Sequence, residues 1–342
     1  MSYSLGYEKM NGLLSALEEE YRIFAPKRFP GKGRYADTDL VRCAEISDIG
    51  EIELENRGDY SPKEVIYPIT QTLFYFTEDE YRESKTYEKK ILLFARSCDI
   101  NGILRLDKIF LENGETRDIY YERLREKVKF VLLECGEGYE SCFCCSMGSN
   151  KTDDYSLAMR FDDGAVKVKV KDVSFEPMFE GMEQCDFEPE FVEKNKKKIN
   201  IPQIREDMLP AILSLPMWED YESRCISCGA CNAACITCSC FNTRDTVYTE
   251  NTKIGERMRV WTGCMNKDFA VVAGGGDFRP TVAGRMRFKA LHKIYDFKKR
   301  FGTEWQMCVG CGRCDDICPQ YIAFSHVLER LNDAVEEVKG EF

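Results

Sequence analysis

Apolar side chains recur at helical spacing through LGYEKMNGLLSALEEE (5–20), with acidic residues behind them, and YRIFAPKRF (21–29) follows as a strand. The pattern changes at KKILLFARS (89–97), an apolar run of strand length, after which DINGILRLDKIFL (99–111) takes up a 3.6-residue period. This predicts a strand leading into a helix, with Cys98 at the join. A second buried strand, EKVKFVLLEC (126–135), ends on Cys135 and runs into GEGYESCFCCSMG, a loop rich in glycine and cysteine. Cys98 and Cys135 therefore both stand at strand C-termini. YSLAMRFDDGAVKVKVKD (155–172) alternates apolar and polar positions around Asp-Asp-Gly, the pattern of a β-hairpin closed by a tight turn. The lysine run KNKKKIN (194–200) then reads as a solvated helix face or linker before the helix-like DMLPAILSLPMWEDY, which puts a domain boundary near residue 200.

With 342 residues and 44% hydrophobic content the chain can bury a core without crosslinks, so stability does not account for its 18 cysteines. The N-terminus has no apolar run long enough for a signal peptide or a membrane span, and the chain reads as cytoplasmic. In a reducing compartment clustered cysteines are metal ligands or redox groups rather than disulfides. A net charge of −11 argues against a nucleic-acid partner and leaves docking on proteins open.

The cysteines carry the chemistry. Cys225, Cys228, Cys231 and Cys235 are spaced C-x2-C-x2-C-x3-C, and Cys308, Cys311, Cys314 and Cys318 repeat that spacing, with Pro319 after the last. A cubane iron–sulfur cluster needs four inward thiolates, and three cysteines two residues apart let one tight loop supply three of them. Gly229, Gly310 and Gly312 lie in these loops, where close backbone approach and unusual φ values are needed. In two-cluster ferredoxins the fourth cysteine of each run serves the other cluster. Cluster one then takes Cys225, Cys228, Cys231 and Cys318; cluster two takes Cys308, Cys311, Cys314 and Cys235. A zinc-stabilised interaction module is the competing reading, but structural zinc usually takes two C-x2-C pairs separated by a longer loop. The fold expected is α+β: an N-terminal α/β domain (1–200), then a mostly helical, ferredoxin-like dicluster domain (201–342).

CISCGACNAACITCSCF (225–241), RMRVWTGC (257–264), AGGGDFRPT (273–281), HKIYDFKKRFG (292–302) and CVGCGRCDDICP (308–319) resemble the dicluster domain found in the iron–sulfur subunit of anaerobic sulfite reductases. The same architecture occurs in the beta subunit of soluble sulfhydrogenases. RSCDINGILRLDKIFL (96–111) and KFVLLECGEGYESCFCCSMGSN (129–150) look more like the sulfite reductase protein. The resemblance covers roughly residues 60 to 335. It implies an electron-transfer subunit without a substrate-reducing centre of its own. Electrons would pass from NADH, on a partner carrying FAD, to a sirohaem subunit that reduces sulfite to sulfide. The alternative is the electron-transfer beta subunit of a soluble hydrogenase or sulfhydrogenase. The resemblance also implies a third cubane, with Cys98, Cys135, Cys142 and Cys144 at matching motifs and Cys145 as a rival for the fourth corner. These residues can meet only if their two strands are neighbours. Ile236 stands where the family usually has proline, which would leave cluster two slightly less rigid.

Of the other thiols, Cys238, Cys240 and Cys264 read as packing around the clusters, Cys43 as a core strand residue and Cys185 as a loop thiol. His292 and His326 read as surface residues. AGGGD lacks the G-x-G-x-x-G spacing, and no Ser/His/Asp set, H-E-x-x-H or P-loop appears, so no nucleotide and no catalytic residue is expected on this chain.

Overall fold

The computed structural model describes residues 1–162, 164–248, 250 and 252–339. Its strands are β1 (Ser2–Gly6), β2 (Tyr21–Phe29), β3 (Leu40–Glu45), β4 (Thr70–Phe76), β5 (Tyr81–Glu83), β6 (Lys90–Ala95), β7 (Val128–Leu133), β8 (Leu157–Asp162), β9 (Ala165–Val170), β10 (Phe241–Val247) and β11 (Gly255–Trp261). Its α-helices are α1 (Tyr7–Leu17), α2 (Ser97–Leu111), α3 (Ile119–Arg125), α4 (Leu209–Leu213), α5 (Ala230–Ala234), α6 (Val282–Leu291), α7 (Phe297–Phe301), α8 (Arg313–Asp316) and α9 (Phe324–Lys339).

Seven strands form one sheet in the order β1-β9-β8-β7-β6-β2-β3. Its centre, β2, β6, β7 and β8, is parallel. Strands buried on both faces need continuous apolar sequence, which KILLFA and VKFVLL supply. Alternate residues then divide between two cores. Leu92 and Phe94 pack with Met10 and Leu14 of α1 on one face. Ile91, Leu93 and Ala95 pack on the other with Ile100, Ile103 and Leu106 of α2. That second core also takes in Ile236, Val309 and Cys311, so the sheet is seated directly on the cysteine runs. The hairpin expected at 155–172 is β8–β9; Asp163 in its turn lies outside the described residues.

A second sheet, β10-β11-β4-β5, joins strands from the two halves of the chain, and its β11–β4 pairing crosses the boundary expected near residue 200. The C-terminal part thus holds a β-hairpin as well as helices, and the fold is a mixed α/β one. β10 escaped notice because it is exposed along nearly all its length and has no apolar period. Helices supply the rest: α9 buries Phe324, Val327, Leu328, Leu331, Val335 and Val338 at three- and four-residue spacing against α4 and α6. The 194–200 run is an irregular segment and is more than a solvated linker. Asn195 is buried, and Lys197 reaches Asp315 at 3.3 Å and the Ser325 hydroxyl at 2.8 Å. Among the described residues no helix is long and apolar enough to cross a membrane.

Candidate iron–sulfur centres

The two runs fold by the same device. Gly229 (φ 74°) and Gly312 (φ 73°) each follow the second cysteine in left-handed conformation and open a short helix, α5 or α8. The third cysteine then falls in the first turn of that helix, and the fourth lies just beyond its end. Between the first two cysteines the backbone is again left-handed, at Gly310 (φ 64°) in one run and at Ser227 (φ 56°) in the other. A serine there carries a steric cost that glycine avoids. Gly310 and Gly312 are required for a second reason. A Cβ on Gly310 would lie 2.6 Å from the Phe143 carbonyl oxygen, and one on Gly312 2.3 Å from that of Ser141.

Cys225, Cys228 and Cys231 line one cavity together with Cys318 from the other run, walled by Met265, Met286, Ile322 and Phe324. The Ile322 N–H points at Cys318 Sγ, 3.4 Å away. Cys228 is exposed, which puts this cavity at the surface. Cys235 turns away from it. Its sulfur lies within electrostatic reach of Cys308, Cys311 and Cys314, and raises the pKa of each. Burial is the larger cause for all three and pushes Cys308 up to about 12. Cys235 moves the opposite way. A hydrogen bond from Cys238, then Lys293, Lys63 and Thr237, hold it well below the ordinary thiol range. Asn232 Nδ2 lies 3.4 Å from the Cys238 sulfur and 3.5 Å from that of Cys264. Cys240 is pushed up by burial.

A third set gathers at the end of the sheet. β6 and β7 are parallel neighbours, so the strand ends that carry Cys98 and Cys135 are brought side by side. The loop after β7 adds Cys142 and Cys144. Cys144 is pushed up to about 12, by burial first, and feels Cys142, Cys145 and Cys135; Cys98 in turn feels Cys144 and Cys311. Cys145 points its sulfur at the Val192 carbonyl, 3.4 Å away. The 141–144 loop sits on the second run through the Phe143 N–H to Gly310 carbonyl bond of 2.8 Å. Arg57 clamps the two, donating to Cys142 Sγ at 3.4 Å, to Ser141 Oγ at 2.6 Å, and to the Cys311 carbonyl and Asp316. Among the described residues no three His, Cys, Asp or Glu side chains close on a point as one ion would require. Cys225, Cys228, Cys231 and Cys318 around one cavity, with the Ile322 N–H aimed at Cys318 Sγ, suit a four-iron cluster instead.

The cations around these thiols are what sequence reasoning missed. Lys63, Lys289, Lys293, Arg105 and Arg313 are all buried. Burial pulls Lys63 down to about 8, against Cys238 and Cys235; its ammonium meets the Cys238 carbonyl at 2.9 Å and lies 4.0 Å from the Trp261 ring centre. Burial also works against Lys289 and Lys293, but the facing thiols overcome it and hold both above the ordinary lysine range. Lys289 and Lys293 were detectable, because they fall on the face of a helix whose other members, Ala283, Met286, Ala290 and Ile294, are core residues. Arg57 lies in irregular chain and gave no signal. Ile236 is fully buried, packed where a Cβ on Gly102 of α2 would come within 2.4 Å of it. Nor is His292 a surface residue. It is half-buried, stacked on Phe288 at 5.3 Å, and burial brings its pKa down to about 4, whereas His326 is exposed as expected. Cys43 lies half-buried in β3, and Cys185 lies in irregular chain.

Comparison with known proteins agrees with this geometry. The 4Fe-4S dicluster domain family matches residues 224–322, and the chain carries 4Fe–4S clusters. Over 334 residues it is 31% identical to the sulfhydrogenase 2 subunit beta of Pyrococcus furiosus, covering 93% of this chain and 95% of that protein. Over 253 residues it is 21% identical to the F420-dependent formate dehydrogenase subunit beta of Methanocaldococcus jannaschii, covering 68% of this chain and 54% of that one. No solved structure matches.

Proposed function

The chain belongs to the family of the sulfhydrogenase 2 beta subunit, and from that premise we propose that it is the electron-transfer subunit of a sulfhydrogenase-type oxidoreductase, placed between a hydrogen-activating partner and a flavin- and nicotinamide-binding one. The observation that carries this reading is that the likeness runs from end to end. It takes in the sheet with Cys98, Cys135, Cys142 and Cys144 as well as the two runs. A 4Fe–4S cluster, when bound, takes up and releases one electron at a time, which partners working in two-electron steps require.

The chain's own residues would do the rest. Cys225, Cys228, Cys231 and Cys318 would hold one cluster, which their shared cavity supports. Cys308, Cys311, Cys314 and Cys235 would hold the second, and Cys98, Cys135, Cys142 and Cys144 the third. Exposure of Cys228 favours the first as the one that meets a partner. The setting would be cytoplasmic and anaerobic.

A sulfite reductase complex, with sirohaem on the catalytic partner, is the second reading. It is favoured by RSCDINGILRLDKIFL and KFVLLECGEGYESCFCCSMGSN at the third set. Purification of the intact complex separates the two. Nickel in the partner protein supports the hydrogenase reading, and sirohaem without nickel overturns it.

A further inference from the structure

We propose that Lys289 and Lys293 are potential-setting residues, each delivering one buried ammonium to a different one of the two cluster sites. The inference rests on the ligand sets assigned above.

The two lysines lie four residues apart on one helical stretch, where α6 widens into a π turn at His292–Asp296. Each is nearly sealed from water, at 4% and 3% exposure. Lys289 lines the cavity that Cys225, Cys228, Cys231 and Cys318 share, and of these thiols it faces Cys231 most strongly. Lys293 Nζ stands 3.5 Å from Cys235 Sγ and 2.7 Å from Thr237 Oγ1. Its backbone carbonyl accepts the Cys308 N–H at 3.1 Å, so this one residue ties together ligands from both runs. A buried ammonium is costly unless an opposite charge faces it. The charged groups that dominate around Lys289 are the thiols of Cys231, Cys314 and Cys264; around Lys293 they are those of Cys235, Cys238 and Cys308.

Reducing such a site adds one negative charge and no proton. A fixed cation beside a ligand sulfur in low dielectric therefore favours the reduced form over the oxidised one. Lys293 faces ligands of the second site, and Lys289 faces Cys231 of the first before Cys314 of the second, so the helix biases the two potentials unequally through its two cations.

The test is a dithionite titration of the full chain, followed by electron paramagnetic resonance, with iron content measured beside it. K293M is expected to lower the reduction equilibrium constant of one step at least tenfold, a downward shift of about 59 mV for a one-electron couple, and to leave the other step in place. K289M is expected to move the other step more than this one. K293R, which keeps the charge, is expected to titrate like the parent; iron lost from K293M but kept by K293R also supports a requirement for charge. Unchanged midpoints in iron-replete K289M and K293M, or loss of iron from K293R as well, would overturn the proposal. Parent protein with no dithionite-reducible iron would instead defeat the ligand assignment beneath it.

Discussion

At Cys318 the sequence and the geometry meet in one residue: it belongs to the second run yet lines the cavity of the first. Double variants test that exchange. Cys318→Ser and Cys225→Ser, if they strip the same cluster, should together cost about four iron atoms per chain, no more than either alone. Cys318→Ser with Cys311→Ser should cost about eight. The reverse pattern would return Cys318 to its own run. His292 supports a second prediction at this scale. Its folded pKa is about 4, below the 6.5 of a free imidazole. The unfolded chain therefore binds the proton first, and the stability contributed by the neutral ring is present above pH 6.5 and lost as pH falls toward 4. Comparing urea denaturation of the parent and H292Q at pH 7 and pH 4.5 should show the gap between them change by up to about 3 kcal/mol in favour of the variant at the lower pH. A constant gap would mean that the ring is protonated in the folded protein. The two cysteine runs were legible because spacing encodes them. The buried lysines that face their sulfurs come from other elements, so cysteine spacing does not place them, and only the core face that Lys289 and Lys293 share with Ala283, Met286, Ala290 and Ile294 marks those two.

Elements meet the runs at two tight contacts. Arg313, at the start of α8, forms a buried ion pair with Asp99, in the first turn of α2, with side chains 4% and 6% exposed. Leaving one partner of such a pair uncompensated costs about 3–5 kcal/mol. D99N should lower stability in urea denaturation by about that amount, and D99L combined with R313M should recover most of the loss. A loss below 1 kcal/mol would mean that water reaches the pair. The second contact is Gly102 against Ile236. G102A should destabilise by about 1–3 kcal/mol, and adding I236A should cost less than the two single changes summed. Additive costs would show that the two do not share the space. Strands β6 and β7 were readable because buried parallel strands are continuously apolar. β10 was not, since its pairing with β11 is specified by a partner strand rather than by its own pattern.

For the whole molecule, the sequence showed two linked cysteine runs but not how the α/β part bears on them. It does so by seating β6, β7 and α2 on the second run, so that Cys98 and Cys135 end up beside Cys142 and Cys144. That convergence depends on sheet order, which spacing along the chain does not encode. An acidic protein that buries lysines and arginines beside its thiols has a charge arrangement suited to holding anionic clusters. The measurement that tests this most directly is iron and acid-labile sulfide per chain in anaerobically purified protein. Three cubane sites predict about twelve of each. About eight would remove the set at the end of the sheet, and zinc without labile sulfide would contradict the account.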